Sequence, residues 1–246
     1  MTVHLLNCGS MNPYFPPVKN GITCLLAETN LGLVLVDTGF GLNDIQHPRL
    51  AMRFYLTMMR SPRDVNETAY YHLKRLGYNP NDMRHIIMTH LHFDHAGGLA
   101  DFPKAKIHLS QPELDHITRG RLGWEYDRSH FEHGPVWTPH QLTGESWFGF
   151  DAIRLEVFTP EIWLVPLTGH SPGHAGVAIA TGSGWILHAG DAIPFNADFD
   201  NVPDRISRLM LGPHIPKIRE FTKNHPEIMT VGSHMAPEFY QDHLKF

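Results

Sequence analysis

The sequence has few of the residues on which several classes of protein depend. Only two of its 246 residues are cysteines, Cys8 and Cys24, too few for a disulfide framework and in no zinc-binding spacing. Both lie in apolar stretches, so we expect buried thiols. No apolar run approaches the length of a membrane span, and the N-terminus lacks the basic start and apolar stretch of a signal peptide. These absences predict a soluble, cytoplasmic protein with no membrane partner.

Basic residues are also scarce. The chain has 20 Lys and Arg against 25 Asp and Glu, a formal net charge of -5 and a pI of about 6.4. No Lys/Arg run forms the electrostatic footprint of a nucleic-acid binder, so we expect none as a partner. Hydrophobic residues make up 42% and charged residues 18%, a globular composition. With no linker, repeat or low-complexity segment, residues 1–246 are expected to form a single domain.

Histidine is abundant, with 19 residues, and its arrangement is more informative than its number. His90, His92, Asp94 and His95 stand within six residues, directly after a predicted strand at 86–88. In an extended segment His90 and His92 project to the same side, so their nitrogens can meet one cation. The chain then turns, and Asp94 and His95 can face a neighbouring position. Imidazole and carboxylate ligands suit zinc and similar metals.

Three further candidate ligands follow separate predicted strands. His170 comes after 162–167, Asp191 after 185–188, and His234 after 228–231. Taken alone, each residue is equally typical of a turn or a cap, but together they place metal-competent side chains at the ends of four strands. A carboxylate such as Asp191 can bridge two cations with its two oxygens. Seven ligands exceed what one tetrahedral zinc uses, so the set predicts two divalent metal ions, with zinc favoured.

The order of these residues resembles the metallo-β-lactamase superfamily. The resemblance implies an α/β fold, an αββα sandwich with the metal site at one edge of the sheets. It implies a first metal held by His90, His92 and His170. The second metal would be held by Asp94, His95 and His234, and Asp191 would bridge the two. Asp37 matches the early aspartate of the family, which supports the site, whereas for His174 we favour a structural role over metal binding.

Two close cations predict a metal-dependent hydrolase. They lower the pKa of a bridging water toward neutrality, so hydroxide is available without a serine or cysteine nucleophile. Asp94 is expected to shuttle a proton to the leaving group. Asp94 and Asp191 are therefore the predicted catalytic residues. A non-enzymatic metal-binding module is disfavoured, because an open bimetal site activates water.

Comparison of family branches favours a hydrolase of small lactones or carboxylic esters. Many class B β-lactamases have cysteine in place of Asp191, flavodiiron proteins add a flavin domain, and glyoxalase II adds a C-terminal helical region. The nucleases add an RNA-binding arm or an inserted domain. The segment His170 to His174 is similar to that of the N-acyl homoserine lactonases. Those enzymes carry a tyrosine shortly after the bridging aspartate, where this chain has Pro194 and Phe195, so Tyr126 or Tyr240 would have to substitute.

Other substrates stay open for the same metal site. A phosphotriesterase or phosphodiesterase would need phosphate-binding cations, for which the candidates are Arg119, Arg121 and Arg128. A thioester or β-lactam hydrolase is a further alternative.

Two segments are predicted to shape the substrate pocket. Residues 48–60 suit an inserted helix with a broad apolar face, and residues 120–150 suit an irregular, lid-like segment rich in aromatics. Either could line an apolar acyl pocket, and the helix could instead serve a homodimer. The remaining predicted strands are 3–8, 21–27, 31–36, 105–109, 152–158 and 176–180. The remaining predicted helices are 64–76, a helix from about 96, 111–118, 204–211, 213–224 and 236–244.

Overall fold

A computed structural model describes residues 2–14, 17–120, 122–142, 144–193 and 213–240. Pro194, Phe195, Arg121 and the helix predicted at 204–211 lie outside the described residues. Within them, no helix is both long and apolar enough to cross a membrane. Cys8 and Cys24 are buried free thiols, as predicted.

The described strands form two mixed sheets of six strands each. The first contains, in spatial order, β1 (Val3–Met11), β2 (Asn20–Thr29), β3 (Gly32–Val36), β4 (His85–Ile87), β5 (Lys106–Ser110) and β6 (Val136–His140). The second contains β7 (Glu145–Trp147), β8 (Phe150–Arg154), β9 (Ile162–Pro166), β10 (Ala175–Ala180), β11 (Trp185–His188) and β12 (Ile228–Val231). Strands β3 to β6 are parallel, as are β11 and β12, and the other pairs are antiparallel.

Six α-helices lie in the described residues and are connected by short 3-10 turns. They are α1 (Leu42–Gln46), α2 (Leu50–Met58), α3 (Ala69–Arg75), α4 (Phe93–Ala96), α5 (Gln111–Arg119) and α6 (Ile215–Asn224). The 3-10 turns are Val65–Glu67, Pro80–Asp82, Gly97–Asp101, Arg128–Phe131, Gly190–Ala192 and Pro237–Tyr240.

The alternation of apolar side chains along the strands produces four layers. In β3, Val34 and Val36 join a core that contains residues of both sheets, whereas Leu35 faces the core beneath α3. In β9, Leu164 points into the core between the sheets and Val165 points toward α6. Because successive strand residues face opposite sides, each sheet buries one face against the other and one against helices. This arrangement confirms the predicted αββα sandwich.

Two sequence predictions of local structure were wrong. The segment 120–150 is not irregular throughout, since it contains β6 and β7, the outermost strands of the two sheets. The outward exposure of Val136, at 51%, shows that β6 lacks the buried apolar pattern by which an inner strand is recognised. The helix expected from about Ala96 starts earlier, at Phe93, so Asp94 and His95 lie within it.

Two predicted helices differ from expectation within the described residues. Residues 64–76 are divided, because Thr68 ends a 3-10 turn and its side chain accepts a hydrogen bond from the amide of Tyr71 at the start of α3. The turn at Pro80–Asp82 is capped by Asn79, whose side chain accepts a hydrogen bond from the amide of Asn81. Of the helix predicted at 236–244, the described part is the 3-10 turn Pro237–Tyr240. Helix α2, in contrast, falls within the predicted range 48–60.

Candidate metal centre

The first group of side chains comes from two loops that face each other across the sheets. His90 and His92 follow β4, and His170 follows β9. One potential ligand atom of each lies within 4.8 Å of those of the other two. His170 Nε2 and His92 Nδ1 are 3.0 Å apart. These three imidazoles, which the resemblance grouped around a first metal, therefore converge on one point.

The second group is formed by Asp94, His95 and His234. Their potential ligand atoms also lie within 4.8 Å of one another. His234 Nε2 is 3.4 Å from Asp94 Oδ2, and His95 Nε2 is 4.0 Å from Asp94 Oδ1. Asp94 and His95 are adjacent residues of α4, and the His95 ring lies 4.0 Å from that of His90, centroid to centroid, so the two groups adjoin. The group could hold a second ion beside the first.

Asp191 lies between the two groups and turns one oxygen toward each. Its Oδ2 is 3.0 Å from His170 Nε2, and its Oδ1 is 3.3 Å from His95 Nε2. The hydroxyl of Ser233 donates a hydrogen bond to Oδ1. A carboxylate in this position can contact two ions at once, which is the arrangement expected of a bridging ligand.

The loop that carries Asp191 depends on a glycine. Gly190 has a φ of +55°, in the left-handed region, and a Cβ atom there would lie 2.5 Å from His174 Nε2. Both nitrogens of His174 are engaged, since Nδ1 donates to the carbonyl of Leu167 and Nε2 accepts from the amide of Asp191, each at 3.0 Å. His174 therefore positions the backbone of Asp191, which agrees with the structural role favoured from the sequence.

The electrostatics of the site favour an ionised Asp191 and a neutral His92, the forms in which these residues bind metal ions. Burial raises the pKa of Asp191, but His170, His234 and His95 outweigh it and hold that pKa well below the ordinary value. Burial, followed by the nearby His170, lowers the pKa of His92 to about 3. Burial opposes protonation of His95 too, yet the surrounding carboxylates raise its pKa well above the usual value. Metal binding at such residues displaces protons.

One buried nitrogen supports the fit of a metal ion directly. His90 is fully buried, and among the described residues its Nε2 has no hydrogen-bond partner. Its Nδ1 lies 3.0 Å from Thr89 Oγ1. A buried polar atom without a partner is costly, so it requires an explanation. A divalent ion between the imidazoles would supply the missing partner, and the donor set of histidines and carboxylates suits zinc.

Asp37 orients one imidazole of each group. Its Oδ2 accepts from His95 Nδ1 at 2.8 Å and from the hydroxyl of Thr89 at 2.7 Å. Since Thr89 Oγ1 donates to Asp37, it can accept from His90 Nδ1, which leaves His90 Nε2 with a lone pair toward the site. Hydrogen bonds of this kind fix the tautomer and direction of a metal-binding histidine. Asp37 thus has the supporting role that the resemblance implied.

Glu113 is a buried residue that sequence reasoning missed. Its carboxylate accepts from the amide of Leu91 at 3.0 Å, from the hydroxyl of Ser171 at 2.7 Å and from the amide of Gly173 at 3.0 Å. Tyr126 donates to the same carboxylate from 3.3 Å. Glu113 therefore ties the His90–His92 loop to the His170 loop. In the sequence it stands three residues after Ser110, a spacing that reads as an ordinary capping box.

A cleft of about 370 Å³ opens over both groups. Its walls include Tyr55 of α2 and Met59 just after it, together with Trp124 and Glu125 of the 120–150 segment. The remaining lining residues are His92, Phe93, Asp94, His170, Asp191 and His234. The structure thus places both segments singled out in the sequence beside the candidate ligands.

Other residues considered in the sequence lie away from this cleft. Arg119 points to the surface, where its side chain is 78% exposed and pairs with Asp115. Arg128 is exposed and does not line the cleft. The hydroxyl of Tyr240 lies 2.8 Å from Thr23 Oγ1, and that of Tyr126 is bonded to Glu113. Neither tyrosine presents its hydroxyl to the candidate ligands.

An αββα fold with a cluster of histidines and carboxylates at one edge defines the class of a metal-dependent hydrolase. The chain belongs to the Metallo-beta-lactamase superfamily, whose family model matches residues 19–226. It is 36% identical over 256 residues to a probable metallo-hydrolase of Mycobacterium tuberculosis, with 97% of this chain and 81% of that protein covered.

The chain is also similar to lactonases. It is 30% identical over 206 residues to the N-acyl homoserine lactonase AiiA of Bacillus thuringiensis subsp. kurstaki, which covers 81% of this chain and 76% of that protein. A solved structure of an N-acyl homoserine lactone hydrolase, with its product N-hexanoyl-L-homoserine at the catalytic metal center, superposes with a TM-score of 0.71. That likeness covers 99% of this chain and 96% of the solved chain at 24% identity, and it shows the shared fold.

Proposed function

We propose that this chain is a binuclear metal-dependent hydrolase that opens small lactones or cleaves carboxylic esters in the cytoplasm. The position of Asp191 carries the proposal, because its two oxygens face two separate groups of potential ligands. His90, His92 and His170 would hold one ion, and Asp94, His95 and His234 the other. When bound, two divalent ions, zinc by ligand preference, supply a water nucleophile at neutral pH and polarise the scissile carbonyl.

The residues of the chain perform the remaining steps. Asp94 lies in the cleft floor, where its carboxylate can accept a proton and return it to the leaving oxygen. Asp191 holds the two ligand groups in register, while Asp37 and Glu113 keep the imidazoles and their loops in place. Trp124 and Met59 provide apolar walls that exclude water and suit an acyl chain.

Lactones and esters are favoured over phosphate esters by the lining of the cleft. Among the described residues that line it, none is a lysine or an arginine, which a phosphodiester would require for charge neutralisation. Similarity to N-acyl homoserine lactonases supports the same choice. A phosphotriester, which carries no negative charge, is the second candidate, and thioesters and β-lactams share the carbonyl chemistry of the first.

The test compares substrates on zinc-loaded protein. Acid release would be followed with N-decanoyl-homoserine lactone and phenyl acetate, beside bis-nitrophenyl phosphate and a nitrophenyl phosphotriester. We expect turnover of a lactone or carboxylic ester that disappears on chelation and in Asp191→Asn. Turnover of the phosphotriester alone would move the assignment to that class. Activity that persists in metal-free protein would contradict the proposal as a whole.

A further inference from the structure

Tyr55 is the tyrosine that the described part of the chain presents to the cleft over the candidate metal ligands. It lies on α2, and its ring packs against Phe93 at a centroid distance of 5.3 Å and edge-on against Phe40 at 6.2 Å. Its neighbours on α2, Met52 and Leu56, are buried beneath it. These contacts hold the ring in one direction, beside the residue that precedes Asp94.

We infer that the Tyr55 hydroxyl is the hydrogen-bond donor that meets the substrate oxygen in this site. This inference rests on the proposed function and deepens it. Tyr55 would do the work for which N-acyl homoserine lactonases carry a tyrosine after the bridging aspartate. It would reach the substrate from α2, in the segment 48–60, which comes before all the candidate ligands in the sequence instead of after Asp191.

The hydroxyl is directed toward the candidate ligands. It lies 3.9 Å from the sulfur of Met11, a weak acceptor, and it also has a side-chain hydrogen bond with Asp94 in the floor of the cleft. The two tyrosines considered from the sequence have hydroxyls engaged elsewhere, Tyr126 with Glu113 and Tyr240 with Thr23.

The position suits the charge that develops during ester or lactone cleavage. Water adds its oxygen to the carbonyl carbon, the bond to the alkoxy oxygen breaks, and the released alkoxide gains a proton. Negative charge therefore develops first on the carbonyl oxygen and then on the leaving oxygen. A fixed hydrogen-bond donor beside either oxygen stabilises the transition state. Tyr55 contributes a hydrogen bond and returns unchanged, whereas Asp94 in the same cleft carries the proton.

The experiment compares Tyr55→Phe with Tyr78→Phe in the zinc-loaded enzyme. Tyr78 is the matched control because its hydroxyl bonds Glu28 at the surface. For the lactone or ester that the wild type hydrolyses best, we expect Tyr55→Phe to lower kcat by about a hundredfold. KM and zinc content should stay near the wild-type values, and Tyr78→Phe should be unaffected. Calorimetric titration with the hydroxy-acid product should show binding about tenfold weaker in Tyr55→Phe.

Two results would overturn the role of Tyr55. One is an unchanged kcat and product affinity in Tyr55→Phe. The other is a loss of activity that only parallels a loss of zinc or of melting temperature, which would mark a packing role. Both differ from failure of the proposed function, in which the wild-type enzyme itself hydrolyses neither lactones nor esters. If the wild-type enzyme is inactive, calorimetry with the same hydroxy acid still tests the residue. Equal affinity of wild type and Tyr55→Phe would then show that the Tyr55 hydroxyl does not donate to a ligand in the cleft.

Discussion

At the scale of single residues, the geometry of the candidate centre depends on side chains that are not themselves candidate metal ligands. Asp37 is fully buried and directs His95 of one ligand group, and through Thr89 it directs His90 of the other. Glu113 fastens the loops that carry the first group. The geometry of both groups therefore depends on two buried carboxylates outside the ligand set.

Replacing Asp37 should weaken both metal ions together. In Asp37→Asn an NH₂ group replaces one oxygen, and it then faces either His95 Nδ1 and the Thr89 hydroxyl or the backbone N–H of Thr89, so the hydrogen bonds that fix the imidazole tautomers are disrupted. Loss of such a partner costs about 10- to 100-fold in metal affinity. Competition with a chromophoric chelator would measure the affinity, with exposed Asp82→Asn as control. Equal zinc affinity in Asp37→Asn and the wild type would contradict this role.

Replacing Glu113 should act unevenly on the two ions. Glu113→Gln keeps the size of the side chain but turns one accepting oxygen into a donor, which faces the donors of Leu91 or of Ser171 and Gly173. We expect the ion of the His90, His92 and His170 group to bind about tenfold more weakly, while the other ion is retained. Stepwise cobalt titration followed by absorption would separate the two, with exposed Glu161→Gln as control. Uniform weakening of both ions would argue against a local effect.

At the scale of elements, the ends of strands and two inserted segments build the cleft. Helix α2 and the 120–150 segment contribute Tyr55 and Trp124 to its walls. Trp124 is 76% exposed, an uncommon state for a large aromatic side chain, and its ring lies 6.4 Å from that of Phe93, centroid to centroid. We expect an acyl chain to cover it.

Trp124→Ala should therefore change chain-length preference. Loss of the apolar wall removes ~1.5 kcal/mol or more of burial for a long chain, so KM for a decanoyl substrate should rise by about tenfold. A butanoyl substrate would not reach the wall and should keep its KM. Initial rates over a series of chain lengths would test this, with Phe148→Ala, exposed elsewhere, as control. The same increase for short and long chains would refute a role in chain-length selection.

Three histidines on adjacent strands form a separate ladder in the first sheet. His85 Nδ1 lies 3.0 Å from His108 Nε2, and His108 Nδ1 lies 3.0 Å from His140 Nε2. Burial, then the neighbouring His140 and His85, lowers the pKa of His108 to about 3. Burial lowers the pKa of His85 and His140 as well. The ladder is stable when its members are neutral.

Acid should therefore destabilise the fold through this ladder. Between pH 6.5 and about 3, His108 is protonated in the unfolded chain but neutral in the folded protein. The free energy of unfolding therefore keeps its full value with respect to His108 above pH 6.5, and it falls by ~1.4 kcal/mol per pH unit as the pH drops through this range. Urea unfolding of metal-free protein should show a shallower pH dependence in His108→Leu than in the wild type. Exposed His47→Gln serves as control. Parallel profiles for His108→Leu and wild type would disprove the effect.

At the scale of the whole molecule, the motifs carried the resemblance that predicted the sandwich, and they picked out seven candidate ligands after four strands that the structure brings close together. That prediction worked because His90, His92, Asp94 and His95 form a dense local motif after an apolar strand. The motifs could not predict the roles of Tyr55 and Glu113, because these roles depend on contacts between residues far apart in the sequence. The strand prediction also missed β6 and β7, because edge strands exposed to solvent lack the buried alternation that marks inner strands.

The most direct test of the central claim is a zinc-loaded crystal and its anomalous difference map at the zinc edge. We predict two peaks, one among His90, His92 and His170 and one among Asp94, His95 and His234, with an oxygen of Asp191 on each. In Asp191→Asn we expect at least one peak to weaken. A single fully occupied zinc in the wild type, or two zinc ions that Asp191 does not join, would contradict the binuclear account.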